Sequence, residues 1–134
     1  LFELYGPRMP ADAPTALGRW LAAAREGKEL VVEGRARPYA LCHVEDAADA
    51  VTRLLRANFT KPLNLGWPSA VPQGEIAGRV AALAPKRPGV AERRPPLGQK
   101  DLPVSRIPNI EAARRALGWE PKIACSEGLA SLFP

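Results

Sequence analysis

Histidine occurs once in this 134-residue sequence, at His43, and cysteine twice, at Cys42 and Cys125. A protein metal centre needs several such ligands held close together, so a single histidine argues against zinc chemistry. The two cysteines are far apart, have no CxxC spacing, and sit in the apolar runs Leu41-Cys42 and Ile123-Ala124-Cys125. They read as free buried thiols of a reducing compartment. Long apolar runs are missing too: nothing approaches the roughly 20 residues that a membrane helix requires. The first residues, Leu1-Phe2-Glu3-Leu4, have no Met, no basic flank and no extended apolar stretch, so they do not read as a secretory leader. The expectation is a cytoplasmic protein without a membrane partner, and the abrupt apolar start reads as a cut through a structural element. Aromatic residues make up only 6% of the chain and are not interleaved with its basic residues. That arrangement gives poor support to a platform for stacking single-stranded nucleic acid.

What is present is an ordinary globular composition, 46% hydrophobic and 25% charged, in a length that suits one domain or part of a larger one. The net charge of +5 and pI near 9.7 favour an anionic partner: nucleic acid, a membrane surface or a small diphosphate. Much of the excess comes from Arg35, Arg37, Arg87, Arg93 and Arg94, with Lys86 and Lys100 nearby.

Periodicity and punctuation predict several short strands and about five short helices, an α/β chain of mixed α+β character. A helix is expected over 12–27, with Asp12 as its cap, Pro14 in its first turn, Gly27 beyond its end, and Leu17, Leu21 and Ala24 on one face beside Trp20. Leu30-Val31-Val32 reads as a strand closed by Gly34, and 35–38 as a loop, because Pro38 disfavours helix at itself and at Arg37. The run 39–44 is β-rich and leads into Glu45-Asp46, acids that suit a helix N-terminus. In that helix Ala47, Val51, Leu54 and Leu55 are expected to share the buried face. Leu63-Asn64-Leu65 reads as a short strand. A helix over 73–84 would bury Ile76, Val80 and Leu83, and a strand is expected near Val90-Ala91-Glu92. Asn109 is placed as the cap of a helix burying Ile110, Ala113 and Leu117, with Gly118 as its stop, and Ser126 starts a last helical turn. Strands this short need other elements to pack against.

Five stretches in order resemble the C-terminal half of the extended short-chain dehydrogenase/reductases, which include sugar-nucleotide epimerases, 4,6-dehydratases and UDP-glucuronate decarboxylases. They are Phe2-Glu3-Leu4-Tyr5-Gly6-Pro7-Arg8-Met9, Leu30-Val31-Val32-Glu33-Gly34, Cys42-His43-Val44-Glu45-Asp46, Leu63-Asn64-Leu65-Gly66, and Pro108-Asn109-Ile110 through Leu117-Gly118-Trp119-Glu120-Pro121. The pieces also have a physical reading. Gly118 suits the turn after a helix, Trp119 can fold back as an apolar plug, Pro121 blocks helix continuation, and Asp46 and Asn64 read first as capping and turn residues. The resemblance implies that 1–134 form the small C-terminal substrate-binding lobe of a Rossmann-fold enzyme. The implied substrate is a nucleoside-diphosphate sugar, the cofactor of the parent protein is NAD or NADP, and the parent is a homodimer. The family's glycine-rich dinucleotide turn and its Tyr-x-x-x-Lys pair are both absent: Met9 stands four residues after Tyr5, and His43 four after Tyr39. This chain by itself is therefore expected to bind no cofactor and to perform no redox chemistry, its partner being the missing N-terminal Rossmann domain.

The resemblance also assigns candidate site residues. Tyr5-Gly6-Pro7 resembles the turn lining the family's pocket near the nicotinamide. Arg106, two residues before Pro108, is the first candidate for the substrate diphosphate, because a planar guanidinium suits phosphate oxygens. A second family arginine falls at Tyr39 here, so either Arg37 takes that role through a shifted loop or the substrate differs. Glu33 stands where the family often has an aromatic near the base, Glu3 stands at its Asn position near the sugar, and Arg8 is a further substrate candidate. Two other readings use the same residues: a reductase or NAD(P)-binding sensor with a non-nucleotide substrate, and a basic nucleic-acid-binding domain suggested by charge alone.

Overall fold

The computed structural model describes residues 1–10, 13–93 and 107–133; the expected cap Asp12 and the candidate Arg106 lie outside them. In chain order the elements are β1 (Glu3–Tyr5), α1 (Ala16–Glu26), β2 (Leu30–Glu33), β3 (Pro38–Tyr39), β4 (Leu41–His43), α2 (Val44–Arg56), β5 (Val71–Pro72), α3 (Gln73–Leu83), β6 (Val90–Arg93), α4 (Glu111–Leu117) and α5 (Cys125–Ala130). Among the described residues the strands pair only in twos: β1 with β4 and β2 with β6 in parallel, β3 with β5 antiparallel. Pairs this small are marginal in water, and here the helices supply the burial.

The main core joins α1, β2 and α3. Leu17, Leu21 and Ala24 of α1, Leu30 and Val32 of β2, and Ile76, Ala77 and Val80 of α3 are all shut off from solvent. Thr15 caps α1 by accepting from Gly18 N at 3.0 Å. That function had been expected of Asp12, but the helix starts later, after Pro14. Gly27 at φ 76° ends the helix in the left-handed region, where a residue without Cβ is least strained. On β2, Leu30 and Val32 face the core while Val31 and Glu33 turn away, as a two-residue period requires. The Trp20 indole N–H donates to Val31 O at 2.8 Å and ties the helix to the strand.

A smaller cluster holds Ala50, Leu65, Ile110, Ala113 and Trp119. Its centre is Asp46, which is buried. Its two carboxylate oxygens accept from Lys122 N at 2.9 Å and Ile123 N at 3.0 Å. Its carbonyl accepts from the indole N–H of Trp119 at 3.0 Å. Trp119 is the expected plug, and Gly118 turns the chain at φ 58°. Asn109 Oδ1 accepts from Glu111 N at 3.0 Å, but the cap position of α4 is Ile110, one residue later than expected, and it makes no side-chain cap.

Several sequence expectations are corrected. The helix α2 begins one residue before the acids, and it is the His43 imidazole that caps it, Nδ1 accepting from Glu45 N at 3.3 Å. Its buried face is Asp46, Ala47 and Ala50, whereas Val51 and Leu55 are exposed, Leu55 by 83%. The rotation follows Asp46, whose hydrogen bonds to residues 122 and 123 turn that side of the helix inward. Leu63-Asn64-Leu65 is not a strand; isolated bonds from Phe2 N to Leu65 O and from Trp67 N to Leu41 O hold the segment. On α3, Leu83 is exposed, and Ala81 and Ala84 pack in its place. The last helix starts at Cys125 rather than Ser126. No described helix is long and apolar enough to cross a membrane, and no cluster of three metal-ligating side chains occurs among the described residues.

Two outcomes follow from this packing. Asp46→Ala removes the buried carboxylate that accepts two charge-assisted bonds from the loop at 122–123 and should cost about 2–3 kcal/mol in urea unfolding; a change below about 0.5 kcal/mol would mean the loop holds itself. Burial pushes the Cys42 and Cys125 thiols up to about 11 from an ordinary 9.0. Above pH 9 the unfolded chain releases these protons first, so stability should fall as pH rises from 9 toward 11. Alkylation at pH 8 should be much slower in the native protein than in urea; equal rates would contradict the burial.

Candidate functional site

The outward side of β2 forms one wall of an open cleft of about 900 Å³. Glu29, Val31 and Glu33 line it at every second position along the strand, and Thr15, Ala16, Arg19, Trp20 and Ala23 line it from α1. The far wall is Phe2, Glu3, Pro38 and Tyr39, and Arg37, Gln73 and Arg93 complete it. Four of the residues singled out from sequence, Glu3, Glu33, Arg37 and Tyr39, therefore come together although they lie in separate motifs.

Local chemistry explains how they are held. Helix α3 has no side-chain cap, and two of its orphan N–H groups donate instead into the loop between β2 and β3. Gln73 N reaches Arg37 O at 2.9 Å and Gly74 N reaches Arg35 O at 3.0 Å, satisfying donors that every helix start leaves open. A Cβ on Gly74 would stand 3.0 Å from the Arg35 Cβ, so glycine permits this approach. The same loop sorts its two arginines. Arg35 is tied to β6, Nη2 donating to Val90 O at 2.7 Å and its backbone N to Glu92 Oε1 at 3.1 Å. Arg37 is left on the cleft side. Arg93 lies in register with Glu33 on the neighbouring parallel strand, which brings both to one face. Among the described residues, none of Arg19, Arg37 and Arg93 is held in an ion pair.

At the far wall the Tyr39 hydroxyl donates to Glu3 Oε2, and the Tyr39 ring stands 6.2 Å from that of Trp20 at 59°. Burial, then the bond to Glu3, hold the Tyr39 phenol protonated well above its ordinary range. The other oxygen, Glu3 Oε1, is shut off from water and has no hydrogen-bond partner among the described residues. The cleft thus combines apolar surface (Phe2, Trp20, Val31) with three guanidiniums and three carboxylates. Such a surface can grip an anion at one place and accept hydrogen bonds at another.

The other candidates lie elsewhere. Tyr5 is buried in the core, edge-on to His43 with centroids 5.2 Å apart, and burial raises its phenol above the ordinary range. Gly6 has no room for a side chain, since a Cβ would stand 2.5 Å from Val44 Cγ1. Arg8 is exposed at a left-handed φ of 65°, a conformation that costs a non-glycine residue energy. His43 is buried and occupied: besides capping α2 it faces Ser131 Oγ at 3.4 Å. Sequence reasoning missed Arg19, Trp20, Gln73 and Arg93 as cleft residues. Only the period of two along β2 and of about 3.6 along α1 could have found them, given knowledge of which faces meet.

No protein-family model matches the chain. It is 35% identical over 130 residues to UDP-glucuronic acid decarboxylase 3 of Arabidopsis thaliana, covering 96% of this chain and 37% of the relative. Its fold superposes on an epimerase, Mth375, of Methanothermobacter thermautotrophicus with a TM-score of 0.85, 23% identity, and coverage of 98% of this chain and 40% of that one. MoeE5, solved in complex with UDP-glucuronic acid and NAD, gives a TM-score of 0.78 at 26% identity over 98% of this chain and 44% of its own. The chain spans little more than a third of the length of the curated relative. On this similarity of sequence and fold, the chain is homologous to part of these enzymes and belongs to the NAD-dependent sugar-nucleotide epimerase/decarboxylase family, within the extended short-chain dehydrogenase/reductases.

Proposed function

We propose that residues 1–134 are the substrate-binding lobe of such an enzyme and that the cleft over β2 receives a nucleoside-diphosphate sugar. The observation that carries this reading is the set of three guanidiniums, Arg19, Arg37 and Arg93, without ion-pair partners among the described residues, around one cleft with an apolar floor. Diphosphate oxygens suit the planar donors of arginine, and a base and sugar need apolar contact beside a few hydrogen-bonding groups. Arg37 is the principal diphosphate ligand in this reading, and Arg106 is a second. Glu33, Glu3 and Tyr39 face the hydroxyl-bearing parts of the ligand. Arg8 follows the Tyr5-Gly6-Pro7 turn, which would border the cofactor in a complete enzyme.

Among the described residues, two places where a dinucleotide cradle could be sought are already filled. Such a cradle needs a glycine-rich turn whose backbone lets a pyrophosphate approach a helix N-terminus. Here the N–H groups that open α3 are already taken by Arg35 and Arg37, and Gly6 is filled by Val44. NAD or NADP is accordingly proposed to be held by the part of the family fold outside this span, together with the Tyr-x-x-x-Lys pair. The role of this lobe is to bind and orient the sugar-nucleotide for that chemistry.

Titration of the chain with UDP should show saturable, salt-sensitive binding. Arg37→Ala should weaken it about tenfold or more, the effect of losing a charge-assisted hydrogen bond. Absence of binding at millimolar UDP, or an Arg37→Ala variant indistinguishable from the parent, would remove the cleft from consideration. Tighter binding of a short duplex with a steep salt dependence would favour a nucleic-acid partner instead.

A further inference from the structure

Helix α2 has one face that no described residue covers. Asp46, Ala47 and Ala50 are buried on its inner side. Asp49 pairs with Arg53 along the helix at 3.0 Å, and Arg53 also donates to Gly118 O at 2.7 Å. Val44, Ala48, Val51 and Leu55 remain outside. They recur at steps of four, three and four residues, so they form one apolar stripe along the length of the helix. Its large members, Val44, Val51 and Leu55, are 41%, 42% and 83% exposed. At about 100° of turn per residue, Glu45 and Arg56 flank the stripe on the same side, one at each end of the helix. Neither forms an ion pair among the described residues.

We propose that this stripe is the contact surface for a second copy of the chain, the two α2 helices packing antiparallel about a two-fold axis. In that orientation the stripe is its own complement: Val44 of each copy meets Leu55 of the other, and Ala48 meets Val51. Ala48, the small member, lies beside the axis and lets the two backbones approach. Glu45 of each copy comes beside Arg56 of the other, so both charges gain a partner. A parallel pair would instead set Glu45 against Glu45 and Arg56 against Arg56, and would align the two helix dipoles unfavourably. The charge pattern therefore selects a second copy in one orientation. None of the residues lining the cleft belongs to α2, so this surface is separate from the cleft and independent of the function proposed for it. A helix of 13 residues is about 20 Å long, and one such pair buries less than the roughly 1,200 Å² of a standard interface. The dimer is accordingly weak, with a Kd on the order of 0.1 mM.

Sedimentation velocity of the chain at low salt, from about 10 µM to about 1 mM, should show a monomer–dimer equilibrium. Leu55→Glu should weaken it about tenfold or more. Arg56→Glu alone, or Glu45→Arg alone, sets like charges side by side at both ends of the contact and should weaken it about fivefold. An equimolar mixture of those two single variants should dimerise about as tightly as the parent, because each contact again joins opposite charges. All three positions are exposed, and far-UV circular dichroism checks that each variant stays folded. A parent chain that remains monomeric over the whole range would overturn the proposal and leave the stripe to the part of the family fold outside this span. A dimer indifferent to Leu55→Glu would overturn it as well, as would a mixture that associates no better than its components. The concentration series of the parent decides the matter even if a variant does not fold.

Discussion

The arrangement depends on the bond between the Trp20 indole N–H and the Val31 carbonyl. Strands β2 and β6 form a pair of four residues each, too small to persist alone. Packing α1 across β2 buries Leu17, Leu21, Leu30 and Val32 in one layer, and the indole bond satisfies a strand carbonyl that no third strand takes up. Because a strand alternates, burying Leu30 and Val32 obliges Val31 and Glu33 to face the other way. The cleft wall is thus a consequence of the core: the same residue period that packs the interior aims Val31 and Glu33 into the cleft.

The loop from Gly34 to Pro38 converts that wall into a charged site. Its carbonyls stand in for the missing cap of α3, which fixes the backbone of Arg35 and Arg37 without using their side chains. Arg35 is then bound to β6 by its guanidinium, while Arg37 is not. Two arginines two residues apart acquire different roles through their surroundings. Glu3 and Tyr39, hydrogen-bonded to each other, line the same cleft as Arg19, Arg37 and Arg93. The second cluster, centred on Asp46 and Trp119, lies apart from the cleft and holds α2 to the loop after α4.

The legible features were those set by local chemistry. The buried face of α1 and its Gly27 stop, the strand at Leu30, and the Gly118-Trp119 turn all follow from spacing and from residue conformation, and all are present. The α2 face was misjudged because Val51 and Leu55 are the more apolar residues, yet Asp46 bonds to a loop 76 and 77 residues away and turns its own side inward. No local pattern carries that information. Leu63-Asn64-Leu65 has strand-like composition but finds no continuous partner, which is again decided by tertiary placement. Of the cleft lining, Glu3, Glu33, Arg37 and Tyr39 can be singled out one motif at a time. Their meeting in one cleft, the bond between Glu3 and Tyr39, and the addition of Arg19 and Arg93 required the fold.

The central claim is that the β2 cleft, and not the turn after β1, receives the nucleotide. Mapping amide chemical-shift changes by NMR as UDP is added to the labelled chain tests it most directly. The account predicts that the largest changes fall on the backbone of Arg19, Val31, Glu33, Arg37 and Tyr39, with Gly6 and Arg8 near their free positions. Changes confined to Gly6, Arg8 and the start of α2, with residues 31–39 unmoved, would contradict it.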